Sequence, residues 1–159
     1  MTTRPLIKEV FALPGHQVPF ASPDDRLEGL VDEKTAAIFT ETITNPLSDV
    51  PDLNRLASVA RANRVPLVVD STIATPANCR PLEHGADYVI HSTTKLLNGR
   101  NDHGGGAVIV RDPARARMLA DSQAVLDDRM SSWKGITALR GRISTRLHRT
   151  AAIPSRSGS

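Results

Sequence analysis

The sequence predicts an α/β protein with a mostly parallel sheet and flanking helices. Short apolar runs alternate with segments of helical periodicity, which is the pattern of βαβ units. The run Leu67-Val68-Val69 is continuously apolar, as in a strand covered on both faces. The 159 residues are 40% hydrophobic and 23% charged, a globular composition sufficient for one core.

Five strands and four helices follow from the pattern, in alternation along most of the chain. The predicted strands are residues 17–20, 36–40, 66–70, 87–91 and 107–110. The predicted helices run from the capping sequence at Ser22 to about residue 31, from Pro51 to 62, from Asp112 to 126, and from Ser132 to 148. The domain prediction is therefore one body at 1–131, a helix at 132–149, and a Ser-, Arg- and Gly-rich disordered tail at 150–159.

Charge and cysteine content exclude several classes of protein. The net charge is only +3, and the C-terminal arginines follow helical spacing without interleaved aromatics, so nucleic-acid binding is not expected. The single Cys79 rules out an internal disulfide and favours a reducing compartment, which predicts a cytoplasmic location. No apolar run approaches the ~18 residues of a membrane span, and the N-terminus lacks a signal-peptide layout. His84, His91 and His103 lack the spacing of a metal site.

Polar side chains follow three successive predicted strands, where an open parallel sheet carries its ligands. Asp70 ends one strand and either caps the turn at Ser71 or neutralises a cationic group such as a protonated pyridine nitrogen. Residues 91–99, which read HSTTKLLNG, either form a polar loop with a solvated lysine or bind a phosphate beside a reactive Lys95. Asn45-Pro46 is either a turn or a donor at the same edge.

These blocks together resemble the Cys/Met-metabolism enzymes that use pyridoxal 5′-phosphate (PLP): cystathionine γ-synthase, cystathionine γ- and β-lyases, methionine γ-lyase and the O-acylhomoserine sulfhydrylases. The matching stretch spans residues 41–106 and comprises 41–42 (ET), 45–47 (NPL), 68–76 (VVDSTIATP), 80–82 (RPL), 85–87 (GAD) and 91–99. The resemblance implies part of the large domain of a fold type I PLP enzyme. It also implies an amino-acid substrate, and a homo-oligomer or a complementing chain.

The resemblance implies a role for each matched site residue. Lys95 binds the cofactor covalently and then moves protons on the substrate. Asp70 pairs with the pyridine nitrogen. Ser92 and Thr94 hold the phosphate, and Asn45 lies near the phenolic oxygen or the substrate carboxylate. Thr72, in the block after Asp70, joins the same cofactor-binding set.

Two readings of the activity remain open. In one, the chain is part of a trans-sulfuration enzyme that eliminates or replaces a β- or γ-substituent of a sulfur amino acid or homoserine ester. In the other, it is a catalytically incomplete PLP-binding remnant, or one half of a split enzyme, because the family's N-terminal arm and C-terminal domain have no counterpart. An unrelated nucleotide-binding protein is disfavoured, because the glycines at 104–106 precede a strand instead of opening a helix.

Overall fold

The computed structural model describes residues 17–22, 25, 27–99, 105–127 and 135–137. A five-stranded sheet in the order β1-β2-β3-β4-β5 forms its centre. The strands are β1 (Ile38–Glu41), β2 (Leu67–Asp70), β3 (Tyr88–Ser92), β4 (Gly106–Val110) and β5 (Gly135–Thr137). Neighbouring strands are parallel except for β3 and β4, which are antiparallel. The predicted α/β class with a mostly parallel sheet is confirmed.

The first two crossovers cover one face of the sheet. Helix α1 (Leu53–Asn63) joins β1 to β2, and the short helix α2 (Thr75–Asn78) with the 3₁₀ turn Pro81–His84 joins β2 to β3. Asp52 caps α1 by accepting a hydrogen bond from the Arg55 N–H at 3.0 Å, so the helix begins two residues after the predicted Pro51. Helix α3 (Pro113–Asp127) follows β4.

The core lies between α1 and the sheet. Leu67 and Val69 of β2 are fully buried, and Val89, which lies opposite Val69 on β3, is also buried. They pack against Ala57 and Ala60, whose small side chains let the helix approach the sheet closely. Because side chains alternate along a strand, Asp70 and Ser92 fall on the opposite face, free of this core.

Two predicted elements near the start of the described chain are wrong. Residues 17–20 are irregular instead of a strand, since Pro19 cannot donate a ladder hydrogen bond. The helix predicted from Ser22 is reduced to a 3₁₀ turn at Leu27–Gly29. The Ser22 N–H does donate to Asp25 Oδ2 at 2.7 Å, as half of a capping box, but Gly29 lowers the helix propensity of the segment that follows.

The C-terminal prediction is only partly within the described residues. Gly135–Thr137, which the sequence places in the 132–149 helix, forms β5 and pairs with β4. Pairing with an existing strand overrides the local preference, as it often does at a sheet edge. The remaining predicted positions of that helix and the 150–159 tail lie outside the described residues. The proposed domain boundaries stay a prediction.

We expect Gly85→Ala to destabilise the fold by about 1–3 kcal/mol. Gly85 ends the 3₁₀ turn with φ +90°, and a Cβ there would lie 2.8 Å from the Cβ of Ala57 on α1. Urea unfolding followed by circular dichroism measures the change. Gly29→Ala is the matched control, because nothing lies within 4 Å of its added Cβ. Equal unfolding midpoints for the two variants would contradict this account of the turn.

Candidate active site

The carboxyl ends of β1, β2 and β3 meet at one edge of the sheet. These strands are adjacent and parallel, and their register places Glu41 opposite Asp70 and Asp70 opposite Ile90. The segments that follow them contain the candidate residues predicted from the sequence. The structure therefore brings the Asp70, Ser92–Lys95 and Asn45 segments to the same edge, with Asp70 and Lys95 following neighbouring strands.

Asp70 connects the ends of β2 and β3 through Thr72. One carboxylate oxygen of Asp70 accepts a hydrogen bond from the Thr72 N–H at 2.9 Å, and the Thr72 hydroxyl accepts one from the Ser92 N–H at 2.8 Å. Thr72 is buried, with 7% of its surface exposed. The turn-capping interpretation of Asp70 is thus observed. The other carboxylate oxygen has no hydrogen-bond partner within the part of the chain that the structure describes, so the cap leaves it available.

Lys95 lies in the turn Thr93–Leu97, which follows β3 without a linker. The turn has the hydrogen-bond pattern of a π-helix but is interrupted at Lys95, with φ −89° and ψ −129°. Its side chain is exposed and makes no hydrogen bond or ion pair to another described residue. The hydroxyl of Ser92 is also without a partner among the described residues. Thr94, in contrast, bonds to the backbone of Gly105.

Asn45 lies in the loop after β1 and is exposed. Its backbone N–H donates to the Glu41 carboxylate at 2.9 Å, and the Asn45-Pro46 peptide is cis. The turn-forming interpretation of Asn45-Pro46 is observed in this loop. A contact between the Asn45 amide and a cofactor or substrate stays a prediction.

Sequence reasoning missed two of the buried polar side chains behind this edge, Thr42 and Ser71. Thr42 and Ser71 directly follow β1 and β2, and His91 is the second-to-last residue of β3; the three residues are exposed by only 5%, 0% and 3%. The Ser71 hydroxyl and His91 Nδ1 are buried and have no hydrogen-bond partner among the residues that the structure describes. The available signal was the alternation Leu67, Val69, Ser71, which places the serine on the core face of β2.

Burial lowers the pKa of His91 below its ordinary 6.5, although the Asp70 charge and a hydrogen bond with the Ser71 backbone act in the opposite direction. Above pH 6.5 the imidazole is neutral in both the folded and the unfolded chain. Below 6.5, and down to the lowered folded pKa, the unfolded chain binds a proton that the folded chain does not. The free energy of unfolding therefore falls as the pH falls through this window, by at most about 1.4 kcal/mol per pH unit.

We expect His91→Phe to remove this part of the pH dependence, because phenylalanine has a similar volume and no titrating group. Urea unfolding at a series of pH values below 6.5 measures the slope in both proteins. A variant with the wild-type slope would show that another group is responsible.

Two further features belong to the scaffold. Burial, and to a smaller extent the Glu83 charge, raise the pKa of the Cys79 thiol, so a reactive thiolate is disfavoured there. A cleft of about 740 Å³ lies at the other edge of the sheet, between α1 and the start of α3. In this cleft Arg115 pairs with Asp87 at 2.6 Å and lies 5.2 Å from the Tyr88 ring centroid, so its positive charge already has partners within the chain.

Among the described residues no group of His, Cys, Asp and Glu side chains is arranged to hold a metal ion. None of the helices in the described ranges combines the length and the hydropathy of a membrane span.

Comparison with solved structures defines the class. A cystathionine γ-lyase from Lactobacillus plantarum, solved with L-serine, superposes with a TM-score of 0.75 and 32% identity over 78% of this chain and 33% of its own. The Corynebacterium glutamicum MetB structure superposes with a TM-score of 0.74 and has the same identity and coverage. An O-acetylhomoserine (thiol)-lyase from Campylobacter jejuni contains N′-pyridoxyl-lysine-5′-monophosphate and gives 0.55, with 34% identity over 57% of this chain and 23% of its own. The fold is that of the fold type I PLP-dependent enzymes.

The family follows from the sequence comparison. The family described as Cys/Met metabolism PLP-dependent enzyme matches residues 1–153, and the chain belongs to it. A cystathionine γ-synthase/O-acetylhomoserine (thiol)-lyase of Bacillus subtilis is 45% identical over 91 residues, which are 57% of this chain and 24% of that protein. A canavanine γ-lyase of Rhizobium leguminosarum is 38% identical over 123 residues, which are 77% of this chain and 31% of that protein. The chain thus spans about a quarter to a third of the length of these relatives.

The residues at the edge fit the cofactor of this family. PLP presents a pyridine nitrogen, an aldehyde and a phosphate. The unpartnered carboxylate oxygen of Asp70, the unpartnered amine of Lys95 and the unpartnered hydroxyl of Ser92 provide one complementary group for each, at one edge of the described sheet. All three lie at or beyond the ends of the adjacent strands β2 and β3.

Proposed function

We propose that this chain binds PLP through Lys95 and supplies the lysine-bearing part of a trans-sulfuration enzyme. The observation that carries the proposal is the placement of Asp70 and Ser92. They occupy the same face of adjacent parallel strands, and each has an unpartnered polar atom, with Lys95 three residues beyond Ser92. The substrate class is a sulfur amino acid or a homoserine ester, as in the names of the relatives.

Each residue has a defined task in this proposal. The Lys95 amine would hold the cofactor through its aldehyde carbon, with loss of one water, and would move a proton at the substrate carbons once the substrate amine had replaced it on that carbon. The Asp70 carboxylate holds the proton on the pyridine nitrogen, which keeps the ring cationic. Ser92 donates to the phosphate, and Thr72 and Asn45 complete the surroundings. When bound, PLP supplies the electron sink for elimination or replacement at the β- or γ-carbon.

A second candidate is a PLP-binding unit that needs another polypeptide for catalysis. The chain matches 24% and 31% of the length of two relatives, a cystathionine γ-synthase/O-acetylhomoserine (thiol)-lyase and a canavanine γ-lyase, so catalysis by this stretch on its own is the point to be tested. In this case the partner is a complementing chain; otherwise the active unit is a homo-oligomer. We place either form in the cytoplasm, as the single Cys79 suggests.

Reconstitution distinguishes the proposals. The purified chain is incubated with PLP, dialysed, and reduced with borohydride, and the modified peptide is located by mass spectrometry. Modification at Lys95 supports cofactor binding. Release of a keto acid from cystathionine or O-acetylhomoserine then supports the enzyme, whereas release only after co-expression with a neighbouring reading frame supports the split form. A chain that is colourless after dialysis from excess PLP and gives no modified peptide overturns both.

A further inference from the structure

Two consecutive threonines hold the lysine turn against the start of β4. The Thr93 N–H donates to the Gly105 carbonyl at 3.0 Å. The Thr94 hydroxyl accepts from the Gly105 N–H at 2.9 Å and donates to the Gly105 carbonyl at 3.3 Å. We call these three hydrogen bonds the Gly105 clasp. The clasp joins the residues just before Lys95 to the residue that precedes β4, because Gly105 lies eleven positions after Thr94.

The proton of the Thr94 hydroxyl is the dispensable part of the clasp. A hydroxyl has one proton to donate and two lone pairs to accept with. The Gly105 carbonyl already receives the Thr93 N–H, at a shorter distance than the Thr94 donation. If Thr94 turns its proton to an anion, its oxygen still accepts from the Gly105 N–H, so the turn remains attached.

The clasp requires a close approach that only glycine allows. A Cβ built on Gly105 would lie 2.6 Å from Thr93 Oγ1. This separation is well inside van der Waals contact, and threonine is stiff at χ1, so an alanine would displace the Thr93 side chain or the strand.

We propose that Thr94 is a positioning residue, which fixes the turn that presents Lys95 before the cofactor arrives and then redirects only its donated hydrogen bond to the phosphate. The inference rests on the proposed role of Lys95. Thr94 and Ser92 are then not equivalent, although the family resemblance gives both the same task. Ser92 has an unpartnered hydroxyl and acts only when a ligand is present, whereas Thr94 also acts in the free chain.

Hydrogen exchange of the free chain tests the first half of the proposal. In Thr94→Val, which keeps the side-chain volume, the Gly105 amide should exchange roughly five- to tenfold faster, because its acceptor is lost. Thr94→Ser should restore the protection. Ser92→Ala is the matched control and should leave the Gly105 amide at the wild-type rate. Unchanged exchange in Thr94→Val, or equal acceleration in Ser92→Ala, overturns the proposal.

The second half is tested by separating bound from covalently attached cofactor. Total PLP is measured after dialysis, and the attached part by borohydride reduction and mass spectrometry. The attached fraction is the covalently attached PLP divided by the total bound PLP. Ser92→Ala should lower the total and leave this ratio unchanged. Thr94→Val should lower the attached fraction as well, because Lys95 is less well placed. An attached fraction equal to that of the wild type in Thr94→Val overturns the positioning role.

A steric pair provides an independent check. Gly105→Ala should lower the attached fraction, and adding Thr93→Ala should restore it, because this removes the Oγ1 atom and keeps the backbone N–H. A double variant no better than the single one contradicts the clasp. These results are separable from the proposed function: a wild-type chain that attaches PLP at Lys95 while Thr94→Val behaves normally ends this inference alone, whereas no attachment in the wild-type chain ends the proposed function.

Discussion

Lys95→Ala should abolish covalent attachment of PLP, the largest effect expected of any single change in this chain. The aldehyde needs a primary amine, and Lys95 is the amine that follows β3 at the edge where Asp70 and Ser92 lie. Because the Lys95 side chain is exposed and has no partner among the described residues, its removal should leave the free energy of unfolding within about 0.5 kcal/mol of wild type. Borohydride reduction followed by peptide mass spectrometry gives the attached fraction.

Lys34→Ala is the matched control for this prediction. Lys34 is also exposed, but it lies in the loop that precedes β1 and therefore at the other end of that strand. This variant should attach PLP at Lys95 as the wild type does. Undiminished attachment in Lys95→Ala, with the label on another lysine, would show that the cofactor reacts at the surface and would remove the basis of the proposed site.

Asp70→Asn should weaken PLP binding by roughly 10- to 100-fold, the second largest effect, because a hydrogen bond to a charged group contributes about 1.5–3 kcal/mol. Asparagine separates the two tasks of Asp70. Its amide oxygen can still accept from the Thr72 N–H, which Asp70 Oδ1 does at 2.9 Å, but it brings no negative charge to the pyridine nitrogen. Affinity is measured by titration with PLP, and folding by urea unfolding.

Two further variants define what the result means. Asp70→Ala should lose the turn cap as well as the charge, and should lower both PLP affinity and the unfolding midpoint. Asp49→Asn removes an exposed acid from the loop after β1 and should change neither. If Asp70→Asn bound PLP with wild-type affinity, Asp70 would be a capping residue and the nitrogen would have another partner.

The candidate site could be predicted from the sequence because neighbouring parallel strands have their carboxyl ends at the same edge of the sheet. A polar residue that directly follows an apolar run is placed at the carboxyl edge, and consecutive runs joined by one helix are usually neighbours. Asp70 and Lys95 follow two such runs, and β2 and β3 are adjacent in the sheet. Hydrogen-bond partners were not accessible in this way. The family resemblance gave Ser92 and Thr94 one role, whereas only Thr94 is held by Gly105.

The sequence by itself determined the α/β class, the strands β1 to β4 to within two residues at each end, the helices α1 and α3, and the family, because periodicity and local motifs carry these. The tertiary structure alone decided the irregular course of residues 17–20, the strand at Gly135–Thr137 and the burial of Thr42 and Ser71. The physical reason is that strand pairing and desolvation depend on neighbours distant in the chain. These contacts can outweigh local propensities of a few tenths of a kcal/mol per residue.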